Sequence, residues 1–118
     1  LEQKAMEINE RKIGKVTVLE VKGQANLSTH PEKLSQLVSE RLEAGDRLFV
    51  INLAECNRMD SMGLGELIKS YVSVTRKEGV LKLASVPLKL RGIISVAKLP
   101  EVLEIFDNDQ AAINSFGA

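Results

Sequence analysis

Arg58-Met59-Asp60-Ser61-Met62-Gly63-Leu64-Gly65-Glu66-Leu67 decides how this chain is read, because it joins a strand-like run to a helix-like one. Upstream, Leu48-Phe49-Val50-Ile51-Asn52-Leu53 is short and almost continuously apolar, the pattern of a strand covered on both faces at the centre of a sheet. Downstream, Leu64, Leu67, Ile68, Tyr71, Val72 and Thr75 recur at helical spacing, and Gly79 ends the helix before Val80 to Ala84 returns as a strand. Strand, helix and strand in that order imply a parallel crossover.

The flanks extend the same alternation. Met6 to Ile13 and Val16 to Val21 read as two initial strands joined by a short turn, the second ended by Gly23. Thr29-His30-Pro31-Glu32 offers an N-cap at Thr29, a proline suited to a first turn, and a capping-box glutamate at Glu32. A helix should follow with Leu34, Leu37, Val38 and Leu42 on one face and Gly45 as its left-handed stop. Pro87 opens a third helix with Leu90, Ile93, Ile94 and Ala97 inward, followed by a strand near Val102 to Phe106 and a last helix capped at Asn108 or Asp109. The expected fold is α/β, an open mixed sheet of about five strands with about four packed helices.

At 118 residues, one domain covering 1–118 is the natural reading, long enough to bury about two-thirds of its unfolded surface. Apolar residues make up 44% and charged residues 27%, which argues against a disordered tail. Sixteen basic and sixteen acidic residues cancel, leaving no overall attraction to nucleic acid or anionic lipid. Lys82, Lys89, Arg91 and Lys98, flanked by Glu101 and Glu104 without an aromatic platform, read as a solvated face. The single cysteine excludes an internal disulfide and fits a reducing compartment, so a cytoplasmic location is expected. No apolar run reaches the ~18 to 20 residues needed to cross a bilayer, so no membrane insertion is expected. The chain opens on Leu1 without an initiator methionine, as an excerpt of a longer protein would.

At the junction, Asp60 or Ser61 can cap the helix. The first helical turn also leaves N–H groups unpaired at the positive end of the macrodipole, so an anion such as a phosphate on Ser61 is tolerated there. Its charge, about −1.5 to −2, changes what a docking partner meets. Gly63 and Gly65 serve either a tight turn or the close approach of a partner. Gly23 to Asn26, Glu55 to Ser61 and Ser85 to Pro87 all follow strands and are expected to converge on one docking end.

Catalytic constellations are missing from the pattern. His30, the only histidine, stands at the start of another expected helix and has no second histidine or paired carboxylate, so no triad is expected. Cys56 has Arg58 nearby but no second thiol, and reads as a small, partly buried residue after the strand. One histidine and one cysteine fall short of a zinc set. Gly63-Leu64-Gly65 lacks the third glycine of a dinucleotide loop, where Ile68 stands, and no Gly-Lys-Ser/Thr follows. No enzyme, cofactor or metal is expected.

The order of elements and Asp60-Ser61-Met62-Gly63-Leu64 resemble the STAS family, and within it the bacterial anti-sigma factor antagonists. Gly23-Gln24-Ala25-Asn26, Val50-Ile51-Asn52-Leu53 and Lys77-Glu78-Gly79-Val80-Leu81-Lys82-Leu83 extend the resemblance over residues 6 to 116. It implies phosphorylation at Ser61 and a partner that is an anti-sigma factor with serine kinase activity. The unphosphorylated form binds that partner and releases sigma factor for transcription; a phosphatase restores binding after phosphorylation. The partner-binding residues implied are Asn26, Asp60, Ser61, Met62 and Gly63, with Glu66, Lys69 and Ser70 on the exposed face of the second helix. Met62 stands where the family has a small residue, and Asn26 where an acidic one is frequent. The alternative is a constitutive STAS subunit of a stress-sensing or transporter-associated complex, which Met62 suits because methionine adapts to a stable apolar contact. A nucleotide-binding or enzymatic α/β domain is the third reading.

Overall fold

A computed structural model of the chain describes residues 6–96 and 103–117. The strands are β1 (Glu7–Ile13), β2 (Val16–Ala25), β3 (Leu48–Asn52), β4 (Cys56–Met59), β5 (Val80–Ala84) and β6 (Ile105–Phe106). The helices are α1 (Glu32–Glu43), α2 (Ser61–Arg76), α3 (Leu88–Val96) and α4 (Asp109–Asn114), with a 3-10 turn at Leu27–Thr29. The main path of the sheet runs β1-β2-β3-β5-β6, with β4 attached to the far end of β2. Among the described residues, only the β1–β2 hairpin is antiparallel. The mixed α/β architecture read from the sequence is the one observed.

The run at β3 is covered on both sides, as its composition requires. Phe49, Ile51 and Leu53 point into the larger core, which also takes Leu34, Val38 and Leu42 of α1, Leu67 and Val74 of α2, and Leu90 and Ile94 of α3. Val50 points the other way, with Val16, Val18 and Ala84, under Ala112 of α4 and the half-buried Ile113 and Phe116. Alternate strand residues thus feed two cores of unequal size.

Five local readings change. Gly23 does not end β2; it sits inside the strand at φ 89° where the β4 pairing shifts register, and the strand continues to Ala25. A glycine at positive φ inside a strand marks such a bulge. Thr29 does not cap α1. The capping box is Asn26 with Thr29, closing the 3-10 turn, while Pro31 begins α1 with no side-chain cap. His30 therefore lies outside the helix, left-handed at φ 56°, with Nδ1 3.2 Å from Glu32 Oε1. Residues 56–59, read as loop, form β4. Lys82 is not on a solvated face: it is 6% exposed, donates to Ser115 Oγ at 2.6 Å, and lies 4.4 and 5.4 Å from the Phe116 and Phe106 rings. Burying an ammonium demands such partners, and the two rings with Glu104 at 3.4 Å supply them. Ala97, Lys98, Glu101 and Val102 lie outside the described residues.

Gly63 shows what fixes α2 on the sheet. A Cβ there would stand 2.2 Å from the Ala25 carbonyl oxygen, a backbone atom that cannot swing aside. A Cβ on Gly65 would meet nothing within 4 Å. Gly63→Ala should therefore cost about 1–3 kcal/mol in urea unfolding, whereas Gly65→Ala should stabilise by about 0.5–1 kcal/mol through helix propensity. Equal effects of the two substitutions would contradict this packing.

Candidate functional site

Asp60 organises the junction. It is the N-cap of α2 in extended conformation, and its Oδ1 accepts from the Met62 and Gly63 amides at 3.0 and 3.1 Å. Its Oδ2 accepts from the Leu27 amide at 3.1 Å, tying the 3-10 turn to the same carboxylate. Burial pushes the Asp60 carboxyl up, but the amides of Gly63, Leu27 and Met62 outweigh it and hold the group below the usual carboxylate range. The first-turn amides of Met62 and Gly63 are thus occupied, not open as the sequence alone suggested.

Ser61 follows on the helix and is exposed. On α2 the residues Gly63, Leu67, Ser70 and Val74 are buried, and Ser61, Gly65, Ile68 and Val72 lie on the diametrically opposite line at about 100° per residue. Ile68 and Val72 are exposed hydrophobics, and Met62 and Leu27 add two more at the head of the helix, 46% and 70% exposed. Lone exposed apolar residues need no explanation; here Leu27 and Met62 flank the Asp60 cap, and Ile68 and Val72 continue the outward line of α2 from Ser61.

Several residues implied as partner contacts stand elsewhere. Ser70 is fully buried, its Oγ donating to the Glu66 carbonyl at 2.8 Å, so it is not on the exposed face. Ile68 and Val72, read as core, occupy that face instead. A helix shows two lines of similar spacing here, and only the sheet decides which is covered. Gly63 is buried against Ala25, and its missing side chain serves that packing rather than an incoming partner. Asn26 is 9% exposed, with Oδ1 accepting from Ser28 N and Nδ2 donating to Gln24 Oε1. Glu66 is half-buried and accepts from Ser35 Oγ of α1. Met62 and Lys69 are exposed as expected. Leu27 was not singled out from sequence; its signal was a bulky apolar residue directly after Asn26.

Cys56 is fully buried at the start of β4, where burial pushes its thiol up and away from the reactive thiolate. Its Sγ faces the Arg58 carbonyl oxygen at 3.6 Å. Among the described residues, no group of three or more His, Cys, Asp or Glu side chains is placed to hold a metal, and no helix is long and apolar enough to cross a membrane.

A family model described as the STAS domain matches residues 7–112. This chain belongs to the STAS family. Solved structures share its fold at low identity. An anti-sigma factor antagonist from Mycobacterium paratuberculosis superposes with TM-score 0.83 at 19% identity, over 94% of this chain and 93% of its own. The Bacillus cell fate determinant SpoIIAA in its phosphorylated form gives 0.73 at 16%, over 95% and 99%. A sulfate transporter family protein from Wolinella succinogenes gives 0.76 at 19%, over 87% and 85%. These identities speak to the fold alone.

In this STAS domain the Asp60 cap makes a pH signature. A carboxyl depressed in the folded state contributes stability above its unfolded value of about 3.9, lost as pH falls toward the folded value. Asp60→Ala should cost about 1 kcal/mol near pH 7, and the gap in urea midpoint from the parent should narrow below about pH 4. A gap that stays constant from pH 6 to 3 would show that the charged cap contributes nothing.

Proposed function

We propose that this STAS domain is a protein-binding module, not an enzyme, that docks an anti-sigma factor kinase and is switched off by phosphorylation of Ser61. The observation that carries the reading is the exposed Ser61 at the head of an outward line on α2 that continues to Ile68 and Val72, with exposed Met62 next to it in the first turn and exposed Leu27 on the turn that Asp60 ties to the same helix start. In the modification the kinase transfers the γ-phosphoryl group of ATP to Ser61 Oγ, the hydroxyl proton is lost and ADP leaves.

The local chemistry explains why docking, rather than folding, would respond. Asp60 already holds the Met62 and Gly63 amides, so a phosphate on Ser61 finds those donors taken and projects its charge outward. An outward dianion beside Leu27 and Met62 desolvates badly against an apolar partner face. The shared fold with an anti-sigma factor antagonist and with SpoIIAA in its phosphorylated form supports this choice of partner class and modification. Docking in the cytoplasm and relief of a sigma factor follow from the same reading.

Incubation with the anti-sigma factor kinase of the source organism and ATP, followed by peptide mass spectrometry, should place one phosphate on Ser61. Ser61→Asp should weaken association at least tenfold, about 1.4 kcal/mol, and Ser61→Ala should keep it while blocking modification. Phosphate on another residue, or none, would overturn the assignment. The sulfate transporter family neighbour favours a second reading, a permanent STAS subunit of a larger assembly. That reading predicts a stoichiometric complex unchanged by Ser61→Asp.

A further inference from the structure

A cleft of about 420 Å³ opens beside Ser61, lined by Asn26, Leu27, Ser28, Arg58, Met59 and Asp60. Arg58 is its one cation. The side chain is exposed on β4, and among the described residues its guanidinium pairs with no carboxylate, although Asp60 is two residues away. Asp60 is turned toward amides instead, with Oδ1 on Met62 and Gly63 and Oδ2 on Leu27. The carboxylate nearest in sequence is thus committed, and the guanidinium keeps its planar fork of donors for another anion.

Two anions have access to it. Across the cleft, with Leu27 as an apolar wall, a carboxylate on a docked protein would meet an unpaired guanidinium. Along the chain, two residues, Met59 and Asp60, separate Arg58 from Ser61, at most about 10 Å of backbone, a span that an arginine stem and a phosphoserine arm bridge together.

We propose that Arg58 is the charge shared between the two states of the site. In the unmodified chain it pairs with an acidic side chain of the docked partner; once Ser61 carries phosphate, Arg58 turns to that phosphate in the same chain and the partner loses its contact. The partner half rests on the docking function proposed above. The intramolecular half does not. The switch then acts by removing an attraction as well as by adding a repulsion, and bidentate guanidinium–phosphate pairing favours the exchange.

The other charged groups on the elements around Ser61 include Asp60, Glu66 bonded to Ser35, and His30 with Glu32 beyond the 3-10 turn, with Arg76 at the far end of α2, Glu20 on β2 and Arg91 on α3. Lys22 on β2 is paired with Glu55, and Lys69 and Lys89 stand on α2 and α3. All are unchanged in an Arg58 variant, so the difference isolates the guanidinium.

Phosphoserine encoded genetically at residue 61 makes the test independent of any kinase. In ³¹P NMR pH titrations, Arg58→Gln should raise the midpoint of the second phosphate ionisation by about half a pH unit, a roughly threefold tighter hold on the proton. Arg58→Lys should recover part of that difference. Identical midpoints in parent and Arg58→Gln would overturn the intramolecular pairing. For the unmodified chain, Arg58→Gln should weaken association with the anti-sigma factor kinase about tenfold and flatten its salt dependence; unaltered binding would overturn the partner half. If the parent binds no such kinase while the ³¹P difference persists, the docking function fails and the Arg58–phosphate pairing stands.

Discussion

One carboxylate gathers backbone from two distant pieces of the chain. Asp60 receives the Leu27 amide from the turn after β2 and the Met62 and Gly63 amides from the first turn of α2. The arrangement depends on how closely α2 begins against the end of β2, and Gly63 sets that distance by presenting no Cβ to the Ala25 carbonyl. A side chain there would lift the helix start, lengthen the Leu27 contact and separate the parts of the exposed end. β4 belongs to the same constraint: pairing with β2 from Gly23 to Ala25 carries the chain to the point where Asp60 can reach both sides.

The rest of the sheet supports that end from below. The larger core under α1, α2 and α3 fixes the direction of α2, so that Ser61, Gly65, Ile68 and Val72 point outward as a group. The smaller core is closed by the short α4, which depends on polar pins as well as apolar contact. Asp109 joins Asn52 Nδ2 at 2.7 Å and Arg11, and Lys82 joins Ser115 beneath the Phe116 ring. A helix of six residues has little apolar area to bury, and these polar contacts add to the packing of Ala112, Ile113 and Phe116.

In the proposed switch, docking and stability meet at Asp60 without conflict. Its charge satisfies helix donors and so is spent on the fold, while the neighbouring hydroxyl of Ser61 stays outside the hydrogen-bond network of the cap. A site organised this way can gain a phosphate and change its outward charge while the cap beneath it persists. Exposed Leu27 and Met62 give that change an apolar setting, where a new charge costs a partner the most desolvation.

The sequence by itself determined the alternation of strands and helices, the central place of the Leu48 to Leu53 run, the left-handed stop at Gly45, the helix start beside Ser61 and a last cap at Asn108 or Asp109, of which the structure uses Asn108. Each rests on local physics: apolar periodicity, capping chemistry, or a glycine free to adopt positive φ. Only the tertiary structure decided which of two lines on α2 was covered, which turned Ser70 inward and Ile68 and Val72 outward. It also decided that Gly23 lies within a strand, that Asn26 and not Thr29 opens a capping box, and that Lys82 is enclosed by two aromatic rings distant in sequence. Those outcomes depend on surfaces brought together by the sheet, and a linear pattern holds no information about which neighbour will fill the space beside a residue.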